Sequence, residues 1–231
     1  MYTEEEIKNG QIILIDKPFE WTSFQAVNKI KWAIKKKFNL KEIKVGHAGT
    51  LDPLATGLLV VCTGKFTKKI SEFQDLPKEY TGTITLGATT PSYDLETEVD
   101  QTFPTEHITE AFVKKTAAQF VGEIDQVPPL FSALKKDGKR FYEYAREGKE
   151  LEIPSRKIKI IEFEITSIKI PEVRFRIICS KGTYIRSIAR DFGAKLESGG
   201  YLSELRRTKI GDFEVVDALT PENFLTIFLL N

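Results

Sequence analysis

The segment KVGHAGTLDPLATGLLVVCTG, residues 44–64, limits this chain more than any other. Gly46, Gly49 and Gly57 surround a single acid, Asp52, and an apolar run follows at once. A loop that only connects needs no such specified backbone, whereas glycine opens tight paths closed to other residues. Pro53 pushes Asp52 toward an extended conformation. The modest reading is an Asp-Pro pair that opens a turn. The spacing excludes a phosphate-binding P-loop, since Gly57 and Gly64 are too far apart and Phe66 follows Lys65, and no G-x-G-x-x-G occurs. What remains is a rigid loop presenting one carboxylate, suited to an acid, a base or a nucleophile.

The rest of the chain gives that loop a setting. GQIILID reads as a strand buried on both faces. Thr22 or Ser23 caps a helix in which Val27, Ile30, Ile34 and Phe38 recur at helical spacing, leaving Lys29, Lys31, Lys35 and Lys36 largely on other faces. EYTGTITLG alternates, with Tyr80, Ile84 and Leu86 on one parity. Residues 104–122 predict an amphipathic helix capped by Thr105 and stopped by Gly122. In KIKIIEFEITSIKI the apolar parity flips between Ile160 and Ile161, which predicts a bulge. Thr183 would cap a helix from KGTYIRSIARDFG, and Thr220 with Pro221 starts a last one. Strands and helices do not alternate regularly. The pattern favours α+β, with a mixed, mostly antiparallel central sheet flanked by helices and loops. With no repeat and no linker, residues 1–231 read as a single domain.

A net charge of +1 counts against a nucleic-acid binder. The charge is segregated, however. Residues 29–44 hold seven lysines and one acid, and residues 88–110 hold six acids and no Lys or Arg. A polyanion responds to the local field. No run is long enough to span a membrane, and the polar, acidic start is unlike a signal peptide, so a cytoplasmic protein is expected. Cys62 and Cys179 sit in apolar runs and read as reduced, buried thiols. Two histidines without nearby ligand partners argue against a metal site.

Two further segments carry chemical interest. In CSKGTYIRS, Arg186 falls in the first turn of a helix, where the macrodipole disfavours a cation. It therefore wants an anion, a protein carboxylate or an RNA phosphate. Tyr184 could stack on a base or sit in the core. In the stretch 128–156, Lys135, Lys136, Lys139, Arg140 and Arg146 mix with Phe131, Phe141, Tyr142 and Tyr144, a composition suited to RNA by charge and stacking.

Taken in order, DKP and TS at 16–23, GHAGTLDPLATGLL at 46–59, KEYTGTITLG at 78–87, PPLFSALKKDGKRFYEYAREG at 128–148, CSKGTYIRSIARDFG at 179–193 and YLSELRRTKIG at 201–211 resemble the tRNA pseudouridine-55 synthases of the bacterial TruB type. The resemblance implies the pseudouridine synthase fold and isomerisation of one uridine in the T-loop of tRNA, without cofactor or metal. It implies that Asp52 is the nucleophile, that Tyr80 stacks on the flipped base, and that Arg186 pairs with the catalytic aspartate. Substrate-binding roles pass to His47, Tyr184, Leu205, Lys17 and Asp94, and residues 128–156 match an RNA-clasping insertion. The partner is the T-arm stem-loop of tRNA, and a monomer without obligate protein partners is expected. Where the sequence read no second acid near Asp52, a nucleosidase is disfavoured, and the intact set of site residues disfavours a purely RNA-folding role.

The chain also departs from that pattern. Glu20 stands where a glycine is usual, so the turn is expected to avoid a glycine-only conformation. TTPSYD replaces a commoner run, although Asp94 keeps its place. The sequence stops at Asn231, where many relatives continue into a PUA domain, so a form without that domain is expected.

Overall fold

The computed structural model describes residues 2–132, 134–136, 138–147 and 151–230, and of Lys135, Lys136, Arg140 and Arg146 the backbone alone. The chain divides into two compact units, Met1–Tyr80 with Leu205–Asn231, and Thr81–Glu204. Both divisions fall inside strands. The absence of a linker in the sequence therefore conceals them.

In the first unit, a capping box between Thr3 and Glu6 starts α1 (Glu4–Asn9). Strand β1 (Ile12–Lys17) alternates between half-buried and buried positions, so it is not covered on both faces as its continuous apolar run suggests. Thr22 and Gln25 form a second capping box at the head of α2 (Ser23–Phe38), which buries Val27, Ile30 and Ile34. A short β2 (Val45–His47) leads to β3 (Ala55–Thr63), buried along nearly its whole length. After a 3-10 turn come α3 (Ile70–Asp75) and the start of β4 (Lys78–Leu86). Strands β1 and β2 both run antiparallel to β3. Leu58, Val60 and Cys62 on β3 pack with Ala48 and Ile210, and Ile12, Leu14, Phe66 and Phe73 close around them.

The second unit takes the rest of β4, then β5 (Ala88–Thr89) paired with β6 (Gln101–Thr102). Next come α4 (Glu110–Ala118), β7 (Gly122–Gln126), the small ladder β8 (Lys135–Lys136) with β9 (Lys139–Arg140), and α5 (Phe141–Arg146). Two long strands follow, β10 (Arg156–Lys169) and β11 (Glu172–Cys179), and then α6 (Ile185–Lys195). The strand β12 (Gly200–Ile210) begins here and ends in the first unit, where β13 (Phe213–Glu214) pairs with it and α7 (Pro221–Leu230) follows. Within the second unit the sheet order is β12-β4-β11-β10-β7. Phe163 gathers this core, with ring centroids of Phe192 at 5.5 Å, Phe120 at 5.9 Å and Phe175 at 6.0 Å.

The fold is therefore α+β with a mostly antiparallel central sheet and flanking helices, as the irregular element order predicts. The bulge lies where the parity flips. Pairing of β10 with β11 jumps between Ile160 and Glu162, and Ile161 turns outward. Thr220 accepts from the amide of Asn223 at 3.1 Å and caps α7.

Two caps differ from expectation. Helix α4 is capped by Thr109, and Thr105 only closes the turn before it. Thr183 donates to the carbonyl of Ser180 at 3.0 Å, and α6 begins after Tyr184. At Thr183 the hydroxyl takes a nearer backbone carbonyl, and at Thr105 the backbone carbonyl takes the Ile108 amide while Thr109 supplies the cap.

Candidate active site

Asp52 sits half-buried in the loop before β3, and its neighbours are fixed one by one. On one side, the buried Ser23 hydroxyl accepts from the amide of Leu51 at 2.8 Å and lies 3.1 Å from its carbonyl, to which it donates. On the other, the carbonyl of Pro53 accepts from the amide of Glu20 at 2.9 Å and from Lys17 Nζ at 3.2 Å. The amide of Ala55 returns to the carbonyl of Asp52 at 3.1 Å. These bonds, most of them from residues distant in sequence, fix the backbone that presents the carboxylate.

Lys17 is fully buried, and its ammonium also donates to the carbonyls of Pro18 at 2.9 Å and Trp21 at 2.6 Å. Burial pushes its pKa down to about 8, against the opposing pull of the Asp52 charge. Three protein carbonyls thus take the ammonium that the sequence resemblance assigned to substrate. Glu20 adopts φ 63°, the left-handed region. The expectation that a glutamate here avoids that conformation is overturned. The bond from its amide to Pro53 holds the turn, so the strain is accepted locally.

Below the loop, β3 and β12 pair in parallel, Leu205 opposite Ala55 and Arg207 opposite Gly57. Gly57 has φ 106°, and a β-carbon there would lie 2.2 Å from the carbonyl oxygen of Arg207. Arg207, buried, donates from Nε to the carbonyl of Leu58 at 2.8 Å and from Nη2 to that of Gly49 at 3.0 Å. It ties the glycine-rich approach to the strand that leaves it. Arg206 makes a two-pronged pair with Asp16, at 3.0 and 2.7 Å. Leu205 is half-buried in that register, and Tyr80 is buried on β4. His47 stands on β2 opposite Val61. Burial lowers its pKa, the Gly49 backbone opposes this, and the Arg207 charge lowers it further, so its imidazole is neutral near pH 7.

In the second unit, Arg186 lies in the first turn of α6 and is 4% exposed. Its Nε is 3.5 Å from Asp94 Oδ2, Nη1 donates to the carbonyl of Ser92 at 3.1 Å, and Nη2 donates to that of Phe131 at 2.9 Å. The anion that the helix position demands is thus, within this unit, the buried carboxylate of Asp94. Asp94 also accepts from the amide of Glu96 at 2.9 Å.

Gln126, at the end of β7, grips the start of α6. Its amide group donates to the carbonyl of Tyr184 at 3.1 Å and accepts from the Tyr184 amide at 2.8 Å. Ser187 donates to the carbonyl of Val127 at 2.9 Å. The Arg156 guanidinium lies 4.7 Å from the Tyr184 ring centroid, covering one face of that ring.

The sequence reading missed Ser23, Arg207, Gln126 and Ser92. Ser23, Arg207 and Gln126 act on backbone groups far away in sequence, Ser92 takes the distant Arg186 on its own carbonyl, and no local pattern marks any of the four. In the 128–156 stretch, Phe141 is buried, and Lys139 pairs with Glu147 and lies 4.8 Å from the Tyr144 centroid. The side chains of Lys135, Lys136, Arg140 and Arg146 lie outside the described residues.

Residues 35–185 match the model of the TruB family pseudouridylate synthases, N-terminal domain. The chain belongs to the TruB family. A TruB-family relative from Flavobacterium johnsoniae, named tRNA pseudouridine synthase B, is 65% identical over 218 residues, covering 94% of this chain and 95% of its own length. One of the same name from Phocaeicola vulgatus is 53% identical over 217 residues, covering 94% and 92%. Among solved structures, a chain in the crystal structure of a Cbf5-Nop10-Gar1 complex superimposes with a TM-score of 0.72 at 31% identity. The match covers 96% of this chain and 55% of that one. Among the described residues, no helix is long and apolar enough to cross a membrane, and no group of three or more His, Cys, Asp and Glu side chains could hold a metal ion.

Proposed function

We propose that this chain isomerises uridine to pseudouridine in the T-loop of tRNA, with Asp52 as the nucleophile. Membership of the TruB family supports the reaction, and the names of the two bacterial relatives support tRNA as substrate. The observation that carries the role of Asp52 is its loop. Leu51 and Pro53 are each held by two hydrogen bonds, while the carboxylate between them is left half-buried rather than packed away.

The chemistry follows from those groups. The C1′–N1 bond of one uridine breaks, the uracil turns, and a C1′–C5 bond forms. C5 loses a proton and N1 gains one, so atoms and electrons balance within the nucleotide. A carboxylate keeps the fragments together by a transient covalent bond while the base turns. The base must leave its stack, at a cost of roughly a few kcal/mol. In this reading Tyr80 stacks on the base, Arg186 supplies positive charge, and His47, Tyr184 and Leu205 contact substrate. Lys17 and Asp94 act through the backbone and the guanidinium that they hold. The enzyme works as a monomer in the cytoplasm, with the 128–156 stretch clasping the RNA.

The test uses unmodified tRNA and carbodiimide mapping of pseudouridine. The wild-type chain is expected to mark the T-loop uridine. Asp52→Asn is expected to abolish the mark while tRNA binding survives. Near-wild-type turnover by that variant would remove Asp52 from the chemistry. A mark elsewhere in the tRNA would reassign the site.

A further inference from the structure

The lysine run of α2 has no part in the carboxylate loop, yet its outward face is organised. Phe24, Asn28, Trp32 and Lys36 follow one another at intervals of four, so they form a single stripe along the helix. Phe24 is 70% exposed and Trp32 49% exposed, unusual for large aromatic side chains on a helix surface. Asn28, Lys31, Trp32, Lys35 and Lys36 line an open hollow there. Lys36 Nζ lies 4.8 Å from the Trp32 ring centroid.

We infer that this stripe of α2 is a second RNA contact, gripping the phosphate backbone of the duplex stem that carries the target loop. The inference rests on the reading of the chain as a tRNA-modifying enzyme. Placement supports it. Helix α2 starts at Ser23, whose hydroxyl holds Leu51 beside Asp52. From Phe24 the stripe leads away for about 18 Å, at the usual rise of a helix. An RNA delivering a nucleotide to Asp52 has its flanking backbone within that reach.

Charge supports it as well. The acid facing these lysines is Glu42, 3.5 Å from Lys31 and 3.8 Å from Lys35, with its side chain 80% exposed. Such surface pairs contribute little and give way readily to a phosphate. Lysine is a mobile point charge that suits backbone rather than base recognition. The exposed indole and phenyl rings add faces for sugars or a frayed base.

The experiment compares the wild-type chain with Lys31→Gln/Lys35→Gln/Lys36→Gln, which keeps good helix formers at one exposed and two half-buried positions. Kd is measured against salt for full-length unmodified tRNA and for the isolated T-arm stem-loop, and kcat is measured at saturating RNA. The expected result is a Kd raised at least about tenfold, with the salt slope reduced by about two to three, equally for both RNAs. Saturating kcat is expected to be unchanged. Unchanged Kd and slope would overturn the inference and leave the face to an acidic protein partner. A loss seen with full-length tRNA alone would overturn the assignment to the stem. Binding is read without turnover, so a chain that binds in this way but forms no pseudouridine would refute the proposed activity and not this surface.

Discussion

Lys17 Nζ reaches the carbonyl of Pro53 across 3.2 Å, which joins the end of β1 to the residue after Asp52. The same ammonium holds the carbonyls of Pro18 and Trp21. As an ammonium it has a proton for each of the three. As an amine it has two.

With a pKa lowered to about 8, that change falls within the working range. Activity is expected to decline above pH 8 as the loop loses one of its ties. Stability moves the other way. The unfolded chain keeps the proton up to the ordinary lysine pKa near ~10.4, so between those values it binds more protons than the folded chain, and this group's contribution to stability rises with pH. Lys17→Met is expected to lower kcat at pH 7 and to lack the alkaline limb. A kcat profile from pH 6 to 10, with a parallel series of melting curves, checks both. An alkaline limb retained in the variant would assign it to another group.

Glu20 occupies φ 63° where the sequence pattern leads one to expect glycine. A left-handed residue with a β-carbon costs roughly 1–2 kcal/mol. Glycine removes that strain but adds about 0.5–1 kcal/mol of unfolded-state freedom. Glu20→Gly is therefore expected to stabilise by up to about 1.5 kcal/mol, raising Tm by up to roughly 3–6 °C for a chain of this size. Differential scanning calorimetry reads the shift. A fall in Tm would mean that the Glu20 side chain makes a compensating contact.

Gly57 and Gly122 have similar backbones, φ 106° and 114°, but different surroundings. A β-carbon at Gly57 would meet the Arg207 backbone at 2.2 Å, whereas at Gly122 it would meet nothing within 4 Å. Gly122→Ala carries backbone strain alone, about 1–3 kcal/mol. Gly57→Ala adds a clash that must part β3 from β12, and its expected cost is about 3 kcal/mol or more. Urea titrations of the two variants separate strain from contact. Equal losses would show that β12 can shift to make room.

The same contrast explains what the sequence disclosed. Features encoded by neighbouring residues were legible: the capped, amphipathic α2, the buried β3, the bulge at Ile161, and the cap of α7. The Asp52 loop stood out because its glycines and proline restrict the backbone locally. Choices between two nearby partners went the other way, as with Thr183 and Ser180. Long-range ties left no local trace. Gln126 holding Tyr184 and Ser23 holding Leu51 each join residues that no period connects. The division into units hides for a related reason, since it falls within β4 and β12, whose pattern is continuous.

Arg186 and Asp94 are 4% and 5% exposed, with Nε and Oδ2 3.5 Å apart. Removing one member of such a pair strands a buried charge, at a typical cost of ~3–5 kcal/mol. The carbonyls of Ser92 and Phe131 remain for the guanidinium in Asp94→Ala, so its loss is expected near the lower end, about 3 kcal/mol. Arg186→Met leaves the Asp94 carboxylate with the Glu96 amide and is expected to cost a similar amount. The double variant buries no charge at this point. It is expected to recover about 1–3 kcal/mol relative to the sum of the single losses, the coupling typical of groups in direct contact. Denaturant titrations of the four proteins close the cycle. Strict additivity would mean that the pair, though close, does not act as one unit.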